Sequence, residues 1–365
     1  MTNLIQRRAP WLLLAALIAA ALRPAHAAGT DEAKQWFDRG YLRRAAGECE
    51  QRLAANAKDA EAGALLARIR AEEGDKDAAL KLATAAVAAD PKSADAQYAL
   101  SEAYGREARN ASVLRQPGLA GKMKKASEAA LALDPNHVDA LEISSDFYRY
   151  APGFVGGDKK KAVEYVDRMV SADPVAGWLK RAEVAMDGKD KDTVRAAECY
   201  RQAAAVQPPS TRAQVALASW LLPRWRDPAT AERLALAAVQ AEPWRTSGWQ
   251  VLAALYAYQE RWTDLDDVLK KSEVAEPSHL APWYTAARQL LITGKEPARA
   301  EGYLRHYLAV EPEIGAQSWA AARWRLGQVL EKQGKKSEAV AEMETAVKLD
   351  PKLEDAKKDL KRLRG

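Results

Sequence analysis

The 365-residue chain is 48% hydrophobic, but much of that is alanine, in runs such as ATAAVAA at 83–89, and it holds only three Phe. That balance favours closely packed helices and argues against a sheet-built fold. The formal charge is +5; Arg7, Arg8 and Arg23 lie in an N-terminal segment without acids, so the remainder carries +2 and gives no general case for nucleic-acid binding.

In chain order, the first feature is a leader. Arg7 and Arg8 precede a 12-residue apolar run at 11–22, followed by the small-x-small triplet Ala25-His26-Ala27. This pattern predicts a secretory signal peptide over 1–27, cleaved after Ala27, and a periplasmic or secreted mature chain. The run is short for a membrane span, which weighs against the competing reading of a retained anchor. No integral membrane span is expected after cleavage.

Beyond the leader, phrases closed by proline recur: AVAADP to Pro91, LALDP to Pro135, VSADP to Pro174, AAVQP to Pro208, VQAEP to Pro243, EVAEP to Pro277, LAVEP to Pro312 and VKLDP to Pro351. The spacings are 44, 39, 34, 35, 34, 35 and 39 residues, a base period of 34 with three longer members. Such a period is the mark of a repeat architecture. Within it, Leu326-Gly327, Leu330, Gly334, Ala339, Met343, Ala346 and Pro351 alternate large and small residues at helical spacing, and Trp249, Leu252, Ala253 and Tyr256 do so earlier in the array. A large residue followed by a small one lets a paired helix approach closely. Gly74, Gly294 and Gly334 fall where the chain must turn with positive φ, and the closing proline cannot continue the helix.

These residues resemble the tetratricopeptide repeat, W-x2-L-G-x2-Y followed by A-x3-F-x2-A and a final P. The resemblance covers nearly all of the chain after the leader. It implies an all-α fold: a right-handed α-solenoid over 28–353 of about nine helical hairpins, starting near 30, 60, 94, 138, 175, 212, 246, 280 and 320. A C-terminal capping helix over 354–365 is charged on its outer side, as a solenoid end must be. Longer inter-helix loops are expected near 110–122 and 150–160. Cys49 and Cys199 fall four units apart, too far to pair when each unit touches only its neighbours, and both are expected buried and unreacted.

Enzyme chemistry finds little footing. His137, His279 and His306 sit in different units, and there is no HExxH, paired-Cys motif or G-x-S-x-G. The acids are spread along helix faces beside Lys and Arg, as solvated charge. The glycine turn APGFVGGDKKK at 151–161 could cradle a phosphate at a helix start or simply join two helices; it does not fit G-x4-G-K-[ST], since Gly157 precedes Asp158. No catalytic residue, cofactor or metal is expected.

What remains is surface. In the family that the chain resembles, first helices line a concave groove; carried over by repeat position, this places Arg68, Tyr98, Trp220, Tyr284, Arg288, Trp324 and Gln328 towards it. Trp249 and Trp283, at the signature position, belong to the core, and Trp220 and Trp324 fit the groove or the core equally well. One subtype grips a peptide carboxylate with Lys and Asn, but Asn stands at none of these positions. Nine of the eleven Trp lie between 178 and 324, which suggests a C-terminal binding surface. Lys124, Lys125, Lys159 and Lys160, beside two turns of P-G-apolar-apolar-G type, read either as solvated surface charge or, more sharply, as a basic patch for an acidic partner. The function implied is an exported scaffold that binds a protein or peptide, in envelope complex assembly or secretion. The alternative is an auxiliary solute-binding subunit of an envelope transport system, which would need a closed superhelix with an apolar channel.

Overall fold

The computed structural model describes residues 29–189, 191–222 and 227–365; the predicted signal peptide lies outside them. Among the described residues, nine helical hairpins follow one another. They are α1 (Gly29–Asp38) with α2 (Leu42–Ala55), α3 (Ala60–Glu73) with α4 (Lys76–Ala89), and α5 (Ala94–Asn110) with α6 (Gln116–Leu133). Next come α7 (Val138–Tyr150) with α8 (Lys159–Ala172), α9 (Pro174–Met186) with α10 (Thr193–Ala205), and α11 (Thr211–Leu221) with α12 (Pro228–Ala241). The last are α13 (Thr246–Tyr258) with α14 (Trp262–Ala275), α15 (Ala281–Thr293) with α16 (Pro297–Tyr307), and α17 (Trp319–Lys332) with α18 (Lys336–Leu349). A single helix, α19 (Glu354–Arg364), ends the array. Each hairpin packs mainly on its neighbours, so this is an α-solenoid.

The local causes are legible residue by residue. Asp59, Asp75, Ser93, Asp173, Ser210 and Ser318 cap helices by accepting a backbone N–H three residues on, which satisfies donors that the first turn leaves open. In the closing phrases ending Asp-Pro, Asp90, Asp134 and Asp350 accept from the N–H two residues on, at 2.9, 2.9 and 2.8 Å. The intervening proline has no N–H to offer, so the side chain makes the turn in its place. Gly74 and Gly334 turn the hairpins with φ of +86° and +76°. Alanines and glycines set the helix separation: a Cβ on Gly63 would stand 3.3 Å from the Ala86 Cβ, and one on Gly177 2.3 Å from the Val170 backbone nitrogen. On α19, Ala356, Leu360 and Leu363 are buried while the opposite face is charged, the soluble end that a stack of hairpins requires.

One expected loop is a helix. Residues 116–126 form the first turns of α6, leaving only 111–115 as the connection. Pro117 sits in the first turn, where its missing N–H costs nothing, and Leu119 on the same stretch is buried. The connection at 151–158 is a true loop with a short 3-10 turn at Gly153–Val155. Cys49 and Cys199 are free and buried on α2 and α10, and burial pushes the Cys49 thiol up to about 12, which keeps it protonated and unreactive.

The array closes on itself. Three successive connections meet the first hairpin: Arg39 stacks its guanidinium 5.2 Å from the Trp244 ring, the Tyr41 hydroxyl donates to Glu276, and Arg43 reaches the 308–318 connection. There, the Arg43 backbone N–H donates to Glu313 at 3.0 Å and its side chain pairs with Glu311 at 2.9 Å and donates to the Pro312 carbonyl at 3.0 Å. Ile314 packs into the apolar cluster of Leu42, Cys49 and Leu66. The 308–318 connection is thus a strap across the superhelix.

Candidate functional site

The first helices of the hairpins form one continuous face, and its charge changes sign along the array. Over α5 to α9 it is acidic. Lys180, 4% exposed on α9, is ringed by Glu142, Asp146 and Glu183 at 3.3, 2.8 and 2.9 Å. Burial pushes the Glu142 and Asp146 carboxyls above their ordinary values against the pull of Lys180. Burial also works to lower Lys180, but the Asp146 hydrogen bond and the neighbouring carboxylates hold it above its usual range. Three carboxylates around one ammonium leave this stretch net negative.

Over α15 to α19 the same face is basic. Arg288 is exposed and makes no ion pair among the described residues. Arg325 places its guanidinium over Trp324, 4.0 Å from the ring centre, and donates to Gln328 at 2.9 Å, while its Nε is buried without a partner among the described residues. Both arginines border two adjoining clefts. One, of about 790 Å³, is bounded by Thr246, Gln250, Tyr284 and Thr285 on the helices and by the strap at 314–317. The other, of about 660 Å³, adds Leu291, Lys332 and Arg362. His279 lies at the first cleft, and burial pulls it below its ordinary value, so it is neutral there at pH 7. Hydroxyls, amides and two guanidiniums suit an anionic or hydrogen-bonding ligand rather than an apolar one.

The seven residues expected at the groove fare differently. Arg288 stands free in the clefts, and Tyr284 borders one of them though it is buried against Tyr307, ring centres 5.4 Å apart. Arg68 and Tyr98 are largely covered: the guanidinium is sandwiched 4.7 Å from Phe37 and 5.0 Å from Tyr98 and pairs with Asp139 at 2.9 Å. Trp220 is half-buried 5.1 Å from the Tyr200 ring. Trp324 and Gln328 both donate to Asp359 at 2.8 Å and so anchor the capping helix, because in the last unit the inner position is covered by the helix that follows. Trp249 is buried as expected, whereas Trp283 is half-buried, its ring centre 4.3 Å from that of His306 at a 52° tilt. Of the tryptophans in this half, Trp324, Trp283, Trp244 and Trp262 are engaged at Asp359, His306, Arg39 and Arg299, whereas Trp319 is exposed. Arg325, Gln250 and Thr285 were not foreseen; Arg325 was hidden beside the more conspicuous Trp324.

Of the four lysines, Lys125, Lys159 and Lys160 are exposed, while Lys124 lies over Phe147 and Tyr148 at 5.7 and 5.4 Å and meets Glu128 at 3.7 Å. The phosphate-cradle reading of the glycine turn fails on hydrogen bonds: the Lys160 and Lys161 N–H groups already donate to Asp158, at 2.9 and 3.3 Å. Gly157 is required for close approach, since a Cβ there would stand 1.8 Å from the Ala151 carbonyl oxygen. Among the described residues, no three His, Cys, Asp or Glu side chains are grouped to hold a metal, and no helix is long and apolar enough to cross a membrane.

The ninth hairpin, with its Leu326-Gly327, Gly334 turn and closing Asp-Pro, decides the comparison with known families. Residues 320–353 match the tetratricopeptide repeat. The eight hairpins before this tetratricopeptide repeat share its two-helix build. Among solved structures, the chain is similar to yeast Tom70 at 14% identity and a TM-score of 0.49, covering 92% of this chain and 87% of that one. It is similar to a thermophilic tetratricopeptide protein of Thermus thermophilus at 22% identity and 0.46, covering 53% and 98%. PilW, a type IV pilus biogenesis factor, is similar at 20% identity and 0.43, covering 61% and 98%. Comparison with curated proteins finds no match.

Proposed function

We propose that the chain is an exported, non-enzymatic scaffold that holds a segment of another protein on its inner face, in envelope complex assembly or secretion. The observation that carries this reading is the unpaired Arg288 beside Arg325 at clefts bounded by hydroxyl and amide side chains. An extended peptide presents backbone amides and carbonyls along its length, which such side chains can bond, and an acidic residue would complete the two guanidiniums. The acidic stretch over α5 to α9 would take basic residues further along the same segment, fixing its direction.

The test is affinity capture from the envelope fraction with the full chain as bait, repeated with Arg288→Glu. A partner held by the wild type and released by R288E supports the reading; a partner held equally by both rejects the inner face as its site. Export has its own test: mass spectrometry of the chain recovered from cells should give an N-terminus at Ala28, and recovery from the cytosol with 1–27 intact would reject it.

The strap gives one observation in favour of a solute-binding role, because the superhelix is closed rather than open. The lining of its clefts is polar and basic, against the apolar channel that role was expected to need, so the solute would have to be a small anion. Soaking with such anions without any rise in melting temperature would remove it.

A further inference from the structure

Three strongly exposed apolar side chains stand together on neighbouring connections. Leu114 is 93% exposed, Phe154 86% and Val113 79%. They stand on two neighbouring connections, 111–115 and 151–158, and Val113 and Phe154 face a shallow, mostly apolar cleft of about 410 Å³ between them, with Pro117 and Pro152. The backbone holds these tips out. Phe154 rides on the 3-10 turn, whose end is fixed by Gly156 at φ +107° and by the Asp158 N–H donating to the Tyr148 carbonyl at 2.8 Å.

Around the tips the charge is one-sided. Residues 107–128 and 150–164 hold eight Lys and Arg against four Asp and Glu. Two of those acids, Glu107 and Glu128, are paired within the patch, and Asp158 is spent capping α8. Lys125, Lys159 and Lys160 are exposed and make no ion pair among the described residues.

We propose that these paired turns dock the scaffold on an anionic lipid surface, with Leu114, Phe154 and Val113 entering the headgroup boundary and the lysines meeting the lipid phosphates. A protein interface is the poorer fit. Protein contact surfaces are depleted in lysine and place aromatic anchors into formed hollows, whereas here Leu114 and Phe154 are exposed tips beside a cleft that is shallow, and the helices that follow the two connections carry the exposed Lys125, Lys159 and Lys160. Protruding apolar groups with flanking lysines suit a deformable, negatively charged interface, where area buried and charge attraction add. This surface lies outside the clefts of the inner face, so the proposal goes beyond the partner-binding reading and does not depend on it.

The test uses the full chain and vesicles of phosphatidylcholine with or without phosphatidylglycerol, read by co-sedimentation and by hydrogen exchange. Binding to the anionic vesicles should be stronger, should weaken with salt, and should slow exchange at 111–116 and 153–157. The pair L114S/F154S should lower it about tenfold or more, and K125S/K159S/K160S should flatten the salt dependence. These side chains are exposed, so circular dichroism should match the wild type. No preference for anionic vesicles, equal binding by the variants, or unchanged exchange at the two turns would each overturn the proposal. So would loss of a captured protein from L114S/F154S with vesicle binding intact.

Discussion

The backbone N–H of Arg43 donates to the Glu313 carboxylate at 3.0 Å, tying together residues 270 positions apart. In a stack where each hairpin touches its neighbours, this bond couples the first hairpin to the strap that follows the eighth. Glu313 is buried and also accepts from the Ile314 N–H at 2.9 Å. Glu313→Ala should therefore cost about 1.5–3 kcal/mol, the range for a hydrogen bond to a charged group. The loss should be local. Hydrogen exchange should speed up over 29–55 and 308–318 and stay unchanged in α13. Uniformly faster exchange would mean that the strap stabilises the whole array.

Glu301 is a second tie, between α16 and the last hairpin. It accepts from Lys335 at 2.8 Å and from Gln333 and Arg305 at 2.9 Å each. The Lys335 hydrogen bond foremost lowers its carboxyl from 4.5 to about 2. A carboxyl lowered by folding adds stability above its unfolded value and loses it as pH falls from there through the folded value. Glu301→Gln should thus cost about 1–2 kcal/mol at pH 7, reduced from the full shift by solvent screening. The difference from wild type should shrink between pH 4.5 and about 2. A difference that is constant with pH would assign the effect to packing.

The contact between α8 and α9 is set by Gly177, whose Cβ would fall 2.3 and 2.4 Å from the Val170 backbone nitrogen and Cα. Gly177→Ala must push the two backbones apart and should cost about 2–3 kcal/mol. Gly47, on α2, has nothing within 4 Å of such a Cβ; Gly47→Ala should stabilise by about 0.5–1 kcal/mol through helix propensity and chain entropy. Denaturant midpoints of the two variants should move in opposite directions, and a like shift would show that α8 and α9 can separate freely.

The hairpin starts near 60, 94, 138, 246 and 320 were readable because local physics repeats: capping residues, positive-φ glycines and proline stops act within a few positions. The strap was not read, although a trace of it was present. Unit-closing phrases that end in solvent use Asp, as at Asp90, Asp134 and Asp350, whose short side chain bonds its own turn. The phrases that meet the first hairpin use Glu, at Glu276 and Glu311, whose longer side chain reaches another element. The 39-residue spacing from Pro312 to Pro351 holds the strap's extra residues. Recognising either required knowing that the superhelix returns to its start, a long-range relation that no local pattern encodes. The inner face was half legible for a similar reason: repeat position located Arg288, but Trp324 and Gln328 depend on what covers the last unit.

Whether the inner face at α13, α15 and α17 holds a segment of another protein is decided by site-specific photocrosslinking in intact cells. A photoreactive residue replaces Thr285, beside Arg288 at the strap cleft, or Val274, exposed on the second helix α14. A discrete adduct with another polypeptide is expected from position 285, lost when Arg288→Glu is added, and none from 274. Adducts from 274 with none from 285 would contradict the inner-face site.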